Sequence, residues 1–296
     1  MSIQDANEEP GYFTEENSAE VVIARNAKAR DERLKQVMDV IVRKLHEAMK
    51  EIEPSNAEWM TAIEFLTRTG QICNEWRQEW ILFSDVLGVS MLVDAINNRK
   101  PSGATQTTVL GPFHVSNAPR YPLGANICLD GKGQPLLVTG TVKDTDGRPI
   151  AGALLDVWQA NEDGFYDVQQ KGVQPDMNLR GEFTTDAEGR FWFRSAKPRY
   201  YPIPNDGPVG QLLEALGRHP NRPAHIHFIV GAEGFEPITT HLFTRDCPYL
   251  HIDAVFGVKQ GLVADFRTID DLTKAAELGF PNPFIAVHWD FVLAAK

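Results

Sequence analysis

Lys100-Pro101-Ser102-Gly103 separates two textures of sequence, and the contrast across it decides the fold class. Proline removes a backbone donor and glycine accepts turn conformations, so the tetrapeptide punctuates the chain. Upstream, over residues 31–52, Leu34, Val37, Met38, Ile41, Val42, Leu45, Met49 and Ile52 recur at three- and four-residue steps. That is the period of one helical face, and such a face needs a partner. Pro54 stops the pattern, and Ser55-Asn56-Ala57-Glu58 has the form of a capping box that opens a second helix. A third helix is expected over residues 77–97. Its apolar stretch, 80–96, is interrupted by Ser84, Asp85, Ser90 and Asp94, which predicts a buried helix rather than a membrane span.

Downstream of Gly103, short apolar runs alternate with Asp130-Gly131, Asp146-Gly147, Asp163-Gly164 and Glu188-Gly189, the turn pairs of an all-β region. Strands are expected over 136–142, 153–158, around Phe183, over 190–193, 224–230 and 284–293. The fold class is therefore α+β: a helical N-terminal region, residues 1–105, followed by an antiparallel β-sandwich, residues 106–296. The 296 residues are 43% hydrophobic, enough for real cores, and the formal net charge of −11 argues against nucleic acid or an anionic membrane as the partner. A small-molecule substrate fits better. Cys73, Cys128 and Cys247 are scattered and odd in number, as free thiols of a reducing cytoplasm are, and residues 1–17 lack the pattern of a secretory signal.

The densest chemical signal is Arg222-Pro223-Ala224-His225-Ile226-His227-Phe228. Strand alternation sends His225 and His227 to one face and Ala224, Ile226 and Phe228 to the other. Paired imidazoles suit zinc, copper, iron or nickel, or they are two hydrogen-bonded histidines at a sheet edge. Other ligands must come from a distance. Tyr166 follows the strand that ends near Trp158, and Tyr200 and Tyr201 lie in a proline-bounded loop before the histidine pair; a trivalent cation would favour their phenolates. His46, His114, His251 and His288 have no ligand-spaced partner, His241 lies in an apparent strand, and these, with His219, read as ordinary histidines.

The segments Val157-Trp158-Gln159-Ala160-Asn161 through Tyr166, 201–210, Leu216-Gly217-Arg218-His219 and 222–228 together resemble the intradiol catechol dioxygenases. Residues 77–97 and Val109-Leu110-Gly111-Pro112-Phe113 are similar to the family as well, so the resemblance spans nearly the whole chain. It implies a helical dimerisation domain and a β-sandwich catalytic domain holding one non-haem Fe(3+) per subunit on Tyr166, Tyr201, His225 and His227. Tyr201 and His227 would be axial, Tyr166 and His225 equatorial. The family's spacing selects Tyr201 over Tyr200. In the implied reaction a dihydroxybenzene gives up two protons, one of them to Tyr201, and reacts with O2; acyl migration then leads through a cyclic anhydride to a ring-opened diacid. Arg222 would stabilise charge developing on the ring.

Within the family, the 201–210 segment and Leu82-Phe83-Ser84-Asp85-Val86-Leu87-Gly88 look most like the hydroxyquinol branch, which implies benzene-1,2,4-triol as substrate. Asp85 would accept a hydrogen bond from the third hydroxyl, and Leu82, Val109, Leu110, Gly111, Pro112, Phe113, Ile203, Pro204, Arg222 and Val255 would complete the pocket. The resemblance also implies a homodimer through the N-terminal helices and allows a phospholipid between them. Two rivals remain at this point: a chlorocatechol or catechol 1,2-dioxygenase, and a metal-free β-sandwich module whose histidines and tyrosines line a ligand groove.

Overall fold

The computed structural model describes residues 11–75 and 77–296. The chain packs as two units that divide between Arg68 and Thr69. In the first, α1 (Ser18–Arg25) precedes α2 (Glu32–Ile52), which begins where Asp31 accepts a hydrogen bond from the Leu34 amide at 3.0 Å. Such a cap satisfies one of the free amides of the first turn. The chain leaves α2 through Glu53 in the left-handed region, immediately before Pro54. The capping box then forms as expected: Ser55 N donates to Glu58 Oε2 at 2.8 Å and Glu58 N to Ser55 Oγ at 3.2 Å, opening α3 (Asn56–Gln71). The apolar stripe of α2 lies at the surface, with Leu34, Met38, Ile41, Leu45, Met49 and Ile52 all exposed.

The second unit opens with α4 (Glu79–Val86) and α5 (Val89–Asn97) where one helix is expected. Gly88 sits between them at φ 74°, a conformation that costs glycine little, and it turns the chain. The expected burial is half right. Leu82, Val86 and Met91 are buried, but Trp80, Ile81, Leu92, Val93 and Ile96 are exposed, because helices this short turn only one face inward.

The strands are β1 (Pro135–Asp144), β2 (Leu154–Gln159), β3 (Arg180–Thr184), β4 (Arg190–Ala196), β5 (Tyr201–Pro202), β6 (Asn221–Arg222), β7 (His225–Gly231), β8 (Ile238–Thr244), β9 (Val263–Ala264), β10 (Arg267–Ile269), β11 (Phe284–His288) and β12 (Phe291–Leu293). Helices α6 (Pro208–Ala215) and α7 (Leu272–Leu278) are inserted between them. One sheet runs β3-β2-β7-β8-β9, the other β10-β11-β1-β12 with β4 paired to β1. Most pairings are antiparallel, but β1 pairs in parallel with β11 and β12, and β8 with β9, so the sheets are mixed. The strand expected over 284–293 breaks at Trp289-Asp290. There the Asp290 side chain accepts from the Thr141 amide at 2.9 Å and substitutes for a backbone rung. Val157, Ile226, Phe228 and Leu242 of the first sheet pack with Leu136, Val138, Phe193 and Phe291 of the second to form the main core.

Candidate metal centre

Strand β7 lies inside its sheet, between β2 and β8, so the histidine pair is not at an edge. Alternation holds along it. Ile226 and Phe228 enter the sandwich core, while His225 and His227 stand on the opposite face, each only 2% exposed because loops cover that face. Across the same face runs a row of directly paired residues, Arg180 on β3, Trp158 on β2, His227 on β7 and His241 on β8. Trp158 stacks on His227 with centroids 4.6 Å apart and planes 13° apart.

Two loops bring in the tyrosines. Tyr166 is fully buried beyond β2, held by a hydrogen bond from its amide to Gln169 Oε1 at 2.9 Å and by stacking on Phe113 at 4.7 Å. Tyr201 enters through the small β5–β6 pairing, which sets it opposite Arg222. Its neighbour Tyr200 turns away to pack on Tyr249. Tyr166 Oη lies 2.9 Å from His227 Nε2 and 3.1 Å from Tyr201 Oη, His225 Nε2 lies 3.1 Å from His227 Nε2, and Tyr201 Oη lies 3.5 Å from His225 Nε2. Metal–donor bonds of about 2.0–2.1 Å place neighbouring donors about 2.9–3.4 Å apart, so this four-atom cluster has the spacing of a ligand set.

Protonation points the same way. His225 Nδ1 lies 2.6 Å from the Pro223 carbonyl, which can only accept, so this nitrogen carries the proton and Nε2 presents its lone pair to the cluster. Burial pushes both His225 and His227 well below the ordinary imidazole range and keeps them neutral; Arg222 adds to the effect, as His241 does at His227. Burial, then Tyr201, pushes the Tyr166 phenol well above its ordinary range, with Arg222 and Arg180 opposing. Without a cation the two imidazoles and the Tyr166 phenol are neutral. A multivalent cation would favour phenolate over phenol.

Arg222 is buried beside the cluster. Its Nη1 lies 3.5 Å from His225 Nε2, its Nε 3.4 Å from Asp253 Oδ1, and its Nη2 has no hydrogen-bond partner among the described residues. Burial disfavours its charge, but Asp253, Tyr201 and Tyr166 more than compensate, so it stays cationic. Asp253 is itself fixed by the Gly257 amide at 2.9 Å. Gly111 arches over His227 at φ 79°, and a Cβ there would meet the ring at 3.2 Å, so only glycine gives this close approach without strain. Of the other pocket candidates, Leu82, Ile203 and Val255 are buried, Asp85, Val109 and Phe113 are half-buried, and Leu110, Pro112 and Pro204 are exposed. Burial raises the Asp85 carboxyl, offset in part by Ser90 and by the field of Arg222.

Comparison with known proteins decides the family. Residues 111–295 match the family model described as "Dioxygenase" and residues 31–105 the one described as "Catechol dioxygenase N terminus". A hydroxyquinol 1,2-dioxygenase of Rhizobium sp. is 68% identical over 96% of this chain and 97% of its own length. The chain belongs to the intradiol ring-cleavage dioxygenases. Among solved structures, hydroxyquinol 1,2-dioxygenase from Pseudomonas putida DLL-E4 superposes with a TM-score of 0.91 at 44% identity, covering 95% of this chain and 99% of that one. Catechol 1,2-dioxygenase from Acinetobacter radioresistens gives 0.81 at 30% identity, over 96% and 94%.

This dioxygenase family depends on non-haem iron(III), and two phenols with two neutral imidazoles suit it: hard anionic oxygen and imidazole donors stabilise the ferric state. Sequence reasoning passed over His241. It is completely buried, its ring lies 4.2 Å from that of His227 and 4.6 Å from that of His225, and Thr108 hydrogen-bonds its Nδ1. It belongs to the one three-histidine cluster of metal-site dimensions among the described residues. Its signal was present in the β8 alternation, but only the β7–β8 register shows that it stands beside His227. Arg180 escaped for the same reason, and Asp253 because it reaches Arg222 from a loop far along the chain.

Proposed function

We propose that this dioxygenase opens benzene-1,2,4-triol between its adjacent hydroxyl-bearing carbons, inserting both atoms of O2 to give maleylacetate, with one iron(III) per subunit held by Tyr166, Tyr201, His225 and His227. The observation that carries this reading is the convergence of those four donor atoms, each 2.9–3.5 Å from its neighbours, on a dry face beside Arg222. Bound iron(III) would supply Lewis acidity, favouring the deprotonated form of the substrate's hydroxyls.

Tyr201 Oη is the base for one of these protons; it stands on a two-residue strand, whereas Tyr166 is held from behind by Gln169 and Phe113. Arg222, cationic and with its Nη2 unpartnered among the described residues, stabilises negative charge that develops on the ring. Asp85 accepts a hydrogen bond from the third hydroxyl. The support is that it is half-buried and lies within the field of Arg222. A site built to bond a hydroxyl discriminates strongly against analogues lacking it.

The same reading gives residues 1–105 to dimerisation and 106–296 to catalysis. It places the apolar face of α2 against a second subunit, with room for a phospholipid between the helical regions. No described helix is long and apolar enough to cross a membrane, and the scattered free cysteines suit the cytoplasm.

The test is the visible spectrum and iron content of the purified protein, followed by oxygen uptake on adding hydroxyquinol and, separately, catechol. A tyrosinate-to-iron(III) band with faster uptake on hydroxyquinol is expected. Faster uptake on catechol would overturn the substrate, and an iron-free protein that stays inactive after reconstitution would overturn the chemistry.

A further inference from the structure

Arg180 is 1% exposed, yet the reaction outlined above gives it no task. Its Nε donates to Asp167 Oδ1 at 2.7 Å, and its Nη2 lies 2.6 Å from the same oxygen. Asp167 Oδ2 accepts from the Met177 amide at 3.0 Å, so the carboxylate also ties down the loop behind Tyr166. Asp167 is the residue next to Tyr166, and the Arg180 guanidinium carbon lies over the Tyr166 ring, 5.9 Å from its centroid. Burying two charges costs several kcal/mol each before their attraction returns anything, and a well-packed apolar pair is often as stable. Stability alone is a poor reason for this pair.

Its placement supplies a better one. Arg180 ends the row that continues through Trp158 and His227 to His241, so the sheet itself delivers the cation to the cluster. A guanidinium over a neutral ring gains modestly from the ring quadrupole; over a phenolate it also gains direct charge attraction. Among the cations near the cluster, Arg222 acts on both tyrosines, whereas the ring contact of Arg180 is with Tyr166.

We propose that Arg180 is a positioning residue which, anchored by Asp167, fixes Tyr166 and stabilises its phenolate form, lowering the energy of the electrons that Tyr166 offers to iron. The two tyrosines are thereby made unequal: Tyr166 is held as a lasting anionic ligand, and Tyr201 is left as the one that accepts a proton. The inference rests on the ligand assignment proposed above.

The charge-transfer band of the iron-loaded protein reads that electron energy directly. Asp167→Asn leaves the cation uncompensated and is expected to move the band to shorter wavelength. The isosteric neutral pair Arg180→Gln/Asp167→Asn removes the cation and is expected to move it to longer wavelength. Each shift should be on the order of 10 nm, as follows from a unit charge at this distance in an effective dielectric of about 20, partly cancelled by its partner. Arg180→Lys, which keeps the charge, should stay within a few nm of the parent. Should the neutral pair fail to take iron, the sign of the Asp167→Asn shift against Arg180→Lys decides. Bands that coincide, or that all move the same way, would reduce Arg180 and Asp167 to a structural tie and overturn the proposal. Absence of the band from the parent protein would instead overturn the ligand assignment on which it rests.

Discussion

The two faces of the sheet that carries β2, β7 and β8 are made by the same strands and could hardly differ more. Towards the sandwich, Val157, Ile226, Phe228 and Leu242 are buried among apolar neighbours. On the other side, alternate residues of those strands, Trp158, His225, His227 and His241, are as thoroughly buried, but they carry polar atoms. The inner face gains free energy by leaving water, about 2–3 kcal/mol for a side chain like Phe228. The outer face pays desolvation for groups whose partners are incomplete: His227 Nδ1, His241 Nε2 and Trp158 Nε1 have no hydrogen-bond partner among the described residues. One face holds the protein together, and the other is a preorganised site whose strain the first supports.

The sharpest way to break this symmetry of burial is to remove one imidazole. His227→Ala is expected to lower oxygen uptake on hydroxyquinol by roughly 10³-fold or more and to abolish stoichiometric iron, because on the proposed assignment it deletes a ligand rather than a packing group. The matching change on the inner face, Phe228→Ala, is expected to cost about 3–5 kcal/mol of stability, read as a lower urea midpoint, while the folded fraction keeps its visible band. Loss of the band in a folded Phe228→Ala protein would show that the faces are not independent.

Smaller changes sharpen the outer face alone. Arg222→Gln should reduce kcat about 10²-fold with little change in KM, since in the proposed role its charge is used as the reaction proceeds rather than in binding. Asp85→Asn should reduce the hydroxyquinol-to-catechol preference about tenfold or more, and an unchanged ratio would remove Asp85 from the pocket.

The gentlest probe is pH. Burial holds His225, His227 and His241 well below the ordinary imidazole range, whereas in the unfolded chain they titrate near 6.5. The unfolded state therefore binds more protons below that value, and stability of the iron-free protein falls as pH drops through about 6.5, by about 1.4 kcal/mol per pH unit for each histidine. Urea midpoints measured from pH 7.5 to 5.5 should show the decline, and His241→Gln should show a shallower one. Equal slopes would mean that His241 is not held neutral by its neighbours.

Much of this was legible along the chain because the relevant physics is local. The helical repeat of residues 31–52, the Ser55–Glu58 cap and the two-residue alternation that sets His225 and His227 side by side depend only on backbone periodicity and near-neighbour bonding, and the structure repeats each of them. The split of the expected third helix was less legible, since it required Gly88 at positive φ to take precedence over a continuous apolar pattern. Between the neighbouring tyrosines, residue type alone left the choice open, and only the resemblance to the family favoured Tyr201. Its pairing with Arg222, and the packing of Tyr200 on Tyr249, distinguish the two in space.

By itself, the sequence determined the class of fold and the paired imidazoles, both set by periodicity, while the tyrosines joined them as a donor set only through the resemblance to a family. The tertiary structure alone decided which distant groups complete the face. Strand register set His241 and Arg180 in one row with His227, loop packing brought Tyr166 to within 2.9 Å of that histidine, and Asp253 came to anchor Arg222 from 31 residues away. These are contacts between segments far apart along the chain. They follow from how whole sheets and loops pack, which no local periodicity encodes.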